Sequence, residues 1–188
     1  MDPTLLGFPG VRQVFNIHPV FVHFPIALFP SALLLYTVGI ILSRRSWCVA
    51  GRACLSLGAI GAALAIATGL RAQGTIPHND QIHHLMETHE TIGILVGAVA
   101  LVLVGWSFAH RDQRPVGALG FLLGLLGASY LVLQNGDLGG RLVFVEGAGV
   151  KAAVPLVAGE PPPGGHHAPH HHGHDHAPHG DGAAHGHP

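Results

Sequence analysis

Four stretches of the chain run without a charged residue for nearly the length a helix needs to cross a bilayer: Pro25 to Ser43, Ala53 to Leu70, Thr91 to Ala109 and Val116 to Leu133. A span takes about 20 helical residues, and the flanking turns bring each run to that length. In hydrocarbon every backbone N–H and C=O must find its partner within its own segment, so the four runs are predicted to be helices. A soluble helical bundle does not string four such runs together. The expected fold class is all-α: an integral membrane four-helix bundle with a disordered, His-rich C-terminal tail. The expected division is 1–17 as a segment outside the membrane, 18–151 as the transmembrane domain and 152–188 as the tail.

Small residues recur within the runs. The second reads Gly58-Ala-Ile-Gly61-Ala-Ala-Leu-Ala65 with Gly69 beyond, the third carries Gly93 and Gly97, and the fourth Gly120 and Gly124. Small residues four apart let helix backbones approach closely, which is how helices associate in lipid. Pro30, inside the first run, is expected to bend it. Pro19 and Pro25 fall near its start, where a missing N–H costs least.

Composition sharpens this picture. The chain is 48% hydrophobic and only 10% charged, where soluble domains are about a quarter charged. A net charge of −1 with no basic stripe excludes a nucleic-acid partner. The partner implied is the lipid bilayer. Cys48 and Cys54 match no CxxC spacing and read as small packing residues. No phosphate loop and no nucleophile–base pair is recognisable, so a non-enzymatic protein is expected. Residues 1 to 17 include Asp2 and Arg12 and lack a basic n-region, so the first run reads as a retained helix and not a cleaved signal.

The positive residues suggest an orientation. Arg44, Arg45 and Arg52 lie between the first two runs or at their edge, and Arg111 and Arg114 between the third and fourth. Arg12, Arg71, Arg141 and Lys151 are spread over longer segments on the other side. Density in short loops is what the positive-inside rule weighs. Both termini are therefore expected in the periplasm of a bacterial inner membrane. Sixteen of the 17 histidines then share that side, all but His110.

The tail is the most biased part of the chain. Residues 166 to 188 hold ten histidines among Ala, Pro, Gly and Asp, a composition that cannot bury a core. Neutral imidazole suits Zn, Cu and Ni. His166, His167, His170, His171, His172, His174 and His176 are the candidate metal ligands here. A soluble extension without function and a pH-sensing segment are the competing readings.

The remaining histidines flank the first and third runs. His23 is followed at helical spacing by Ala27 and Ser31, and His89 by Gly93, Gly97 and Ala100. Small faces are where helices meet, so His23 and His89 are expected to face each other inside the bundle. His18 is expected just before the first helical turn, and the third helix is expected to open at His83-His84 and run through His89-Glu90, with His83, Glu87 and Glu90 on a different face from His89. Ionisable groups at membrane depth are costly and tend to be functional. His23 and His89 suit a transition-metal site with His18, His84 and Glu90 as further ligands, or the two axial positions of a b-type haem between helices. The leading expectation is a membrane protein that binds a transition metal on the periplasmic side, for handling or sensing. A haem protein exchanging electrons with a membrane or periplasmic redox partner is the alternative, and a structural subunit of a membrane complex the third.

The segments His18-Pro19-Val-Phe-Val-His23-Phe-Pro25-Ile-Ala-Leu, His89-Glu90 and Gly139-Gly140-Arg141-Leu-Val-Phe-Val-Glu146-Gly-Ala-Gly149-Val150 together resemble a bacterial family of four-helix membrane proteins, the domain of unknown function 2231, over roughly residues 16 to 151. The resemblance implies a four-helix inner-membrane fold and assigns no activity. Such proteins often carry a His or another polar residue where this chain has Glu146.

Overall fold

The computed structural model describes residues 17–76, 79–109, 115 and 117–150. Four helices make up nearly all of it: α1 (His18–Ile41), α2 (Arg45–Gln73), α3 (Asp80–Phe108) and α4 (Ala118–Phe144). Each is long and apolar enough to cross a membrane. The tail and its metal-ligand candidates, His166 to His176, lie outside the described residues, as do residues 1–16, His78 and His110.

The helices extend beyond the apolar runs for local reasons. His18 does not precede α1 but opens it, with Pro19 in the first turn where its missing N–H has no intrahelical partner to lose. One helix then continues through Pro25 and Pro30. Asn79 caps α3, its side-chain oxygen accepting from the Ile82 amide at 3.0 Å. The cap starts α3 at Asp80, well before Thr91, and places His83, His84, Glu87, His89 and Glu90 on regular helix.

Each helix packs against its neighbour in sequence, and α1 closes the ring against α4. Helices α1 and α3 are therefore diagonal, as are α2 and α4. All four present their inner face on a three–four spacing. In α1 the stripe is His18, Val22, Pro25, Phe29, Ala32, Tyr36 and Gly39. In α3 it is Ile82, Met86, His89, Gly93, Val96, Ala100, Leu103 and Ser107. The α1–α2 pair is the closest, because α2 lays glycines under the bulky side chains of α1. A Cβ at Gly58 would lie 2.7 Å from Phe29, and one at Gly51 2.9 Å from Tyr36. Lipid gives no hydrophobic drive to association, so this close van der Waals fit is what joins the two helices. Leu34, Leu101, Leu119, Leu123 and Tyr130 face outward, a continuous apolar exterior that suits lipid and would be a liability in water.

The bundle has two unlike ends. At the α1–α2 turn end, Phe121 stacks edge-on with Tyr36, ring centroids 4.8 Å apart, and with Trp106 at 5.9 Å. Cys48, Phe29 and Leu55 fill the space beside them with no exposed surface. Arg52 donates to the Ser107 carbonyl near the C-terminus of α3 and lies 4.7 Å from the Phe108 ring centroid. That carbonyl has lost its helical donor at the end of the helix, and the macrodipole there favours a cation. At the opposite end, where α1 and α3 begin, the stripe carries histidine and glycine instead.

Candidate functional site

His18 and His89, from diagonal helices, meet in the middle of the bundle. Their ring centroids are 6.0 Å apart and their planes lie at 85°. Each ring is tied to the helix beside it in the same way. His18 Nδ1 is 2.8 Å from the Ala65 carbonyl of α2, and His89 Nδ1 is 3.0 Å from the Asn135 carbonyl of α4. A carbonyl only accepts, so both Nδ1 atoms carry a proton, and in the neutral form of each ring the lone pair is on Nε2. One helical turn beyond each carbonyl stands a glycine. A Cβ at Gly69 would lie 3.1 Å from His18 Cε1, and one at Gly139 3.2 Å from His89 Cε1. The two hairpins thus repeat one device: a histidine early in the first helix, seated on a glycine of the second and bonded to the carbonyl four residues before that glycine.

The rings border a cavity of about 540 Å³. Its walls are mostly apolar: Val22, Ile26, Ile66, Ile94, Val96 and Val132 contribute, with Gly93 and Gly136 thinning them. Glu90 and the Asn135 side chain add polar groups, and the Asn135 side-chain oxygen is buried without a partner. The volume falls within the range of small-molecule pockets, about 300–1,000 Å³.

A folded-back segment roofs the cavity. After α4 the chain reverses through Gly147 and Gly149, both in the left-handed region at φ 71° and 75°, where glycine is at no disadvantage. The Ala148 amide bonds the Leu142 carbonyl at 2.8 Å, and Ala148 packs with Ile82, Leu142 and Ile76. Glu146 fixes the turn from both sides, 3.5 Å from Arg141 and 3.4 Å from Gln81. The closing motif Gly139 to Val150 therefore has a local purpose: Gly139 seats His89, and the rest forms the roof.

The expected pairing of His23 with His89 is corrected by this geometry. His23 is exposed and sits at the cavity's edge, its Nδ1 bonded to the Pro19 carbonyl of its own helix at 2.5 Å. Its companions Ala27 and Ser31 lie off the buried stripe of α1, which runs through His18 instead. His84 is also exposed; it approaches Glu87 at 3.5 Å, as His83 does at 3.3 Å. Glu90 lines the cavity beside His89. Among the described residues no group of three or more His, Cys, Asp or Glu is arranged to hold a metal ion. The seats at Gly69 and Gly139 and the anchors at Ala65 and Asn135 escape sequence reasoning. The available signal is that all four continue the inner stripes of α2 and α4.

A four-helix integral membrane protein with a histidine pair across its core is the class that fold and site define. The chain belongs to the family described as predicted membrane protein (DUF2231), whose model matches residues 14–152. No curated protein and no solved structure matches the chain.

Proposed function

We propose that the cavity takes a b-type haem, with His18 and His89 as its two axial ligands, and that the protein is a membrane electron carrier and not an enzyme. The meeting of the two imidazoles carries this reading. An iron held between two imidazole nitrogens at about 2.0–2.1 Å each, with roughly 1.1 Å more from each nitrogen to its ring centre, would set the centroids about 6.2–6.4 Å apart. The separation found is 6.0 Å. A bare transition metal ion needs further protein ligands, whereas a porphyrin brings its own four. A two-histidine site in a roomy apolar cavity therefore suits haem better than Zn, Cu or Ni. Nδ1–H bonded to a carbonyl is also the arrangement that orients a ligating imidazole and raises its basicity. The chain has no C-x-x-C-H sequence, so attachment is non-covalent.

The purified, chelator-washed full chain is expected to show a Soret band with a six-coordinate low-spin spectrum in both oxidation states. His18→Ala and His89→Ala each remove the low-spin spectrum. A protein that carries no porphyrin after expression with ample haem, and binds none added to it, overturns the reading.

A transition-metal role keeps one specific support, the ten histidines of residues 166 to 188. Weak binding of several Zn, Cu or Ni ions by the tail is expected to vanish when residues 160 to 188 are deleted. The orientation goes with this reading. Both termini and the histidine end face the periplasm of an inner membrane, because the arginine-dense turns are short. Reporter fusions at Pro188 and near Asp112 test it, and a cytoplasmic reporter active at Pro188 reverses it.

A further inference from the structure

We infer that the protein's own main chain presets the two axial imidazoles in near-perpendicular planes, so that the site makes a low-spin haem of strong magnetic anisotropy with no position for an external ligand. This rests on the haem reading above and adds to it the electronic character of the centre. The planes stand at 85° to one another. Each Nδ1–H is held by a carbonyl of a neighbouring transmembrane helix, and the Thr68 hydroxyl lies 3.4 Å from His18 Nδ1 beside the Ala65 carbonyl. Each Cε1 edge also faces a glycine, where an added Cβ would come within 3.2 Å of the ring. Turning a ring about its Cβ–Cγ bond would break that hydrogen bond and drive the ring into the backbone of the opposing helix. The angle is thus fixed by four helices before any cofactor enters.

The consequence follows from ligand-field symmetry. Parallel imidazoles both push on the same iron d orbital and separate it from its partner, which gives an ordinary rhombic ferric signal. Perpendicular imidazoles push on the two orbitals alike and leave them nearly degenerate. The ferric ion then retains orbital angular momentum, and its spin resonance collapses to a single broad feature at unusually low field. Were His18 and His89 both to hold the iron, the reduced centre would offer no site for carbon monoxide or dioxygen. That assigns the centre to one-electron transfer and separates it from gas binding or oxygen activation.

The test uses the full-length, haem-loaded chain in detergent, after a chelator has removed any copper from the tail. Low-temperature spin resonance of the ferric protein is expected to show the low-field feature. The near-infrared charge-transfer band in magnetic circular dichroism is expected at the position of bis-imidazole ligation. The reduced protein should leave its spectrum unchanged under carbon monoxide. Gly69→Ala and Gly139→Ala, which place a Cβ against one ring each, should move the resonance toward the rhombic pattern while the charge-transfer band stays. An ordinary rhombic signal in a bis-imidazole wild type overturns the inference and leaves the haem reading standing. A charge-transfer band of another ligand pair, or carbon monoxide binding by the wild type, overturns the inference through its ligands. Absence of any Soret band overturns the haem reading itself.

Discussion

The two ends of this bundle are built on the same three–four stripe and do opposite things with it. At the arginine end the stripe positions are Tyr36, Cys48, Leu103 and Phe121, all buried, and the aromatic rings close against one another. At the histidine end the same periodicity delivers His18, Ala65, Gly69, His89, Asn135 and Gly139, and the helices leave a partly open cavity between them. In lipid an unfilled space has no hydrophobic penalty to drive its collapse; it only forfeits packing contacts. One end can therefore supply cohesion while the other stays open. The contrast suggests that stability and ligand binding are separable along the membrane normal.

Substitutions that empty the site should break that contrast most visibly. His18→Ala or His89→Ala is expected to abolish the low-spin haem spectrum, a complete loss, while the unfolding midpoint of the haem-free protein in mixed micelles stays near wild type. A matching loss of folded protein would mean that the pair is structural. Phe121→Ala tests the opposite end. It removes the ring on which Tyr36 and Trp106 stack and should cost about 3–5 kcal/mol of unfolding free energy. The spectrum of the protein that remains folded should not move.

Arg52→Leu is a smaller test of the same end. It leaves the Ser107 carbonyl without its charged donor and is expected to cost about 1.5–3 kcal/mol, measured by the same denaturation. Glu146→Gln, which weakens the latch to Arg141 across the roof, should cost less than about 1 kcal/mol, yet haem should dissociate faster in an exchange assay with apomyoglobin. His23→Ala is expected to change neither stability nor spectrum. If it removed the bound group as thoroughly as His18→Ala, the stripe assignment would be wrong.

The helices were legible because lipid leaves a charge-free run only one way to satisfy its backbone. Their true starts were less so. The third apolar run begins only at Thr91; the polar residues before it read as helix from His83, and Asn79 caps it about one turn earlier still. His89 was readable as inward-facing, since Gly93 and Ala100 after it continue the inner stripe. His23 was misread by the same rule. Small residues mark the interface on α2, where Gly51 and Gly58 receive bulky partners, but α1 is the helix that supplies the bulk. Its buried stripe is marked by Phe29 and Tyr36, and counting back from them at three and four residues reaches His18. The anchoring carbonyls have no sequence signature at all. Only a glycine four residues further on, aligned with a stripe, hints at them.

That main-chain anchoring also decides where the chain can vary. A histidine held by an aspartate ties two positions in the sequence to one another, and losing either ends the arrangement. Here each ring is held by a peptide group that every amino acid possesses, so the anchor itself cannot be mutated away. What must be inherited on the supporting helix is a vacancy: the missing side chains at Gly69 and Gly139. A saturation library scored for pigment should tolerate only small residues at Ala65, whose side chain is buried on the inner stripe, and only alanine beside glycine at Gly69. Drift could thus rewrite the outward faces of α2 and α4 while the histidine pair stays in register.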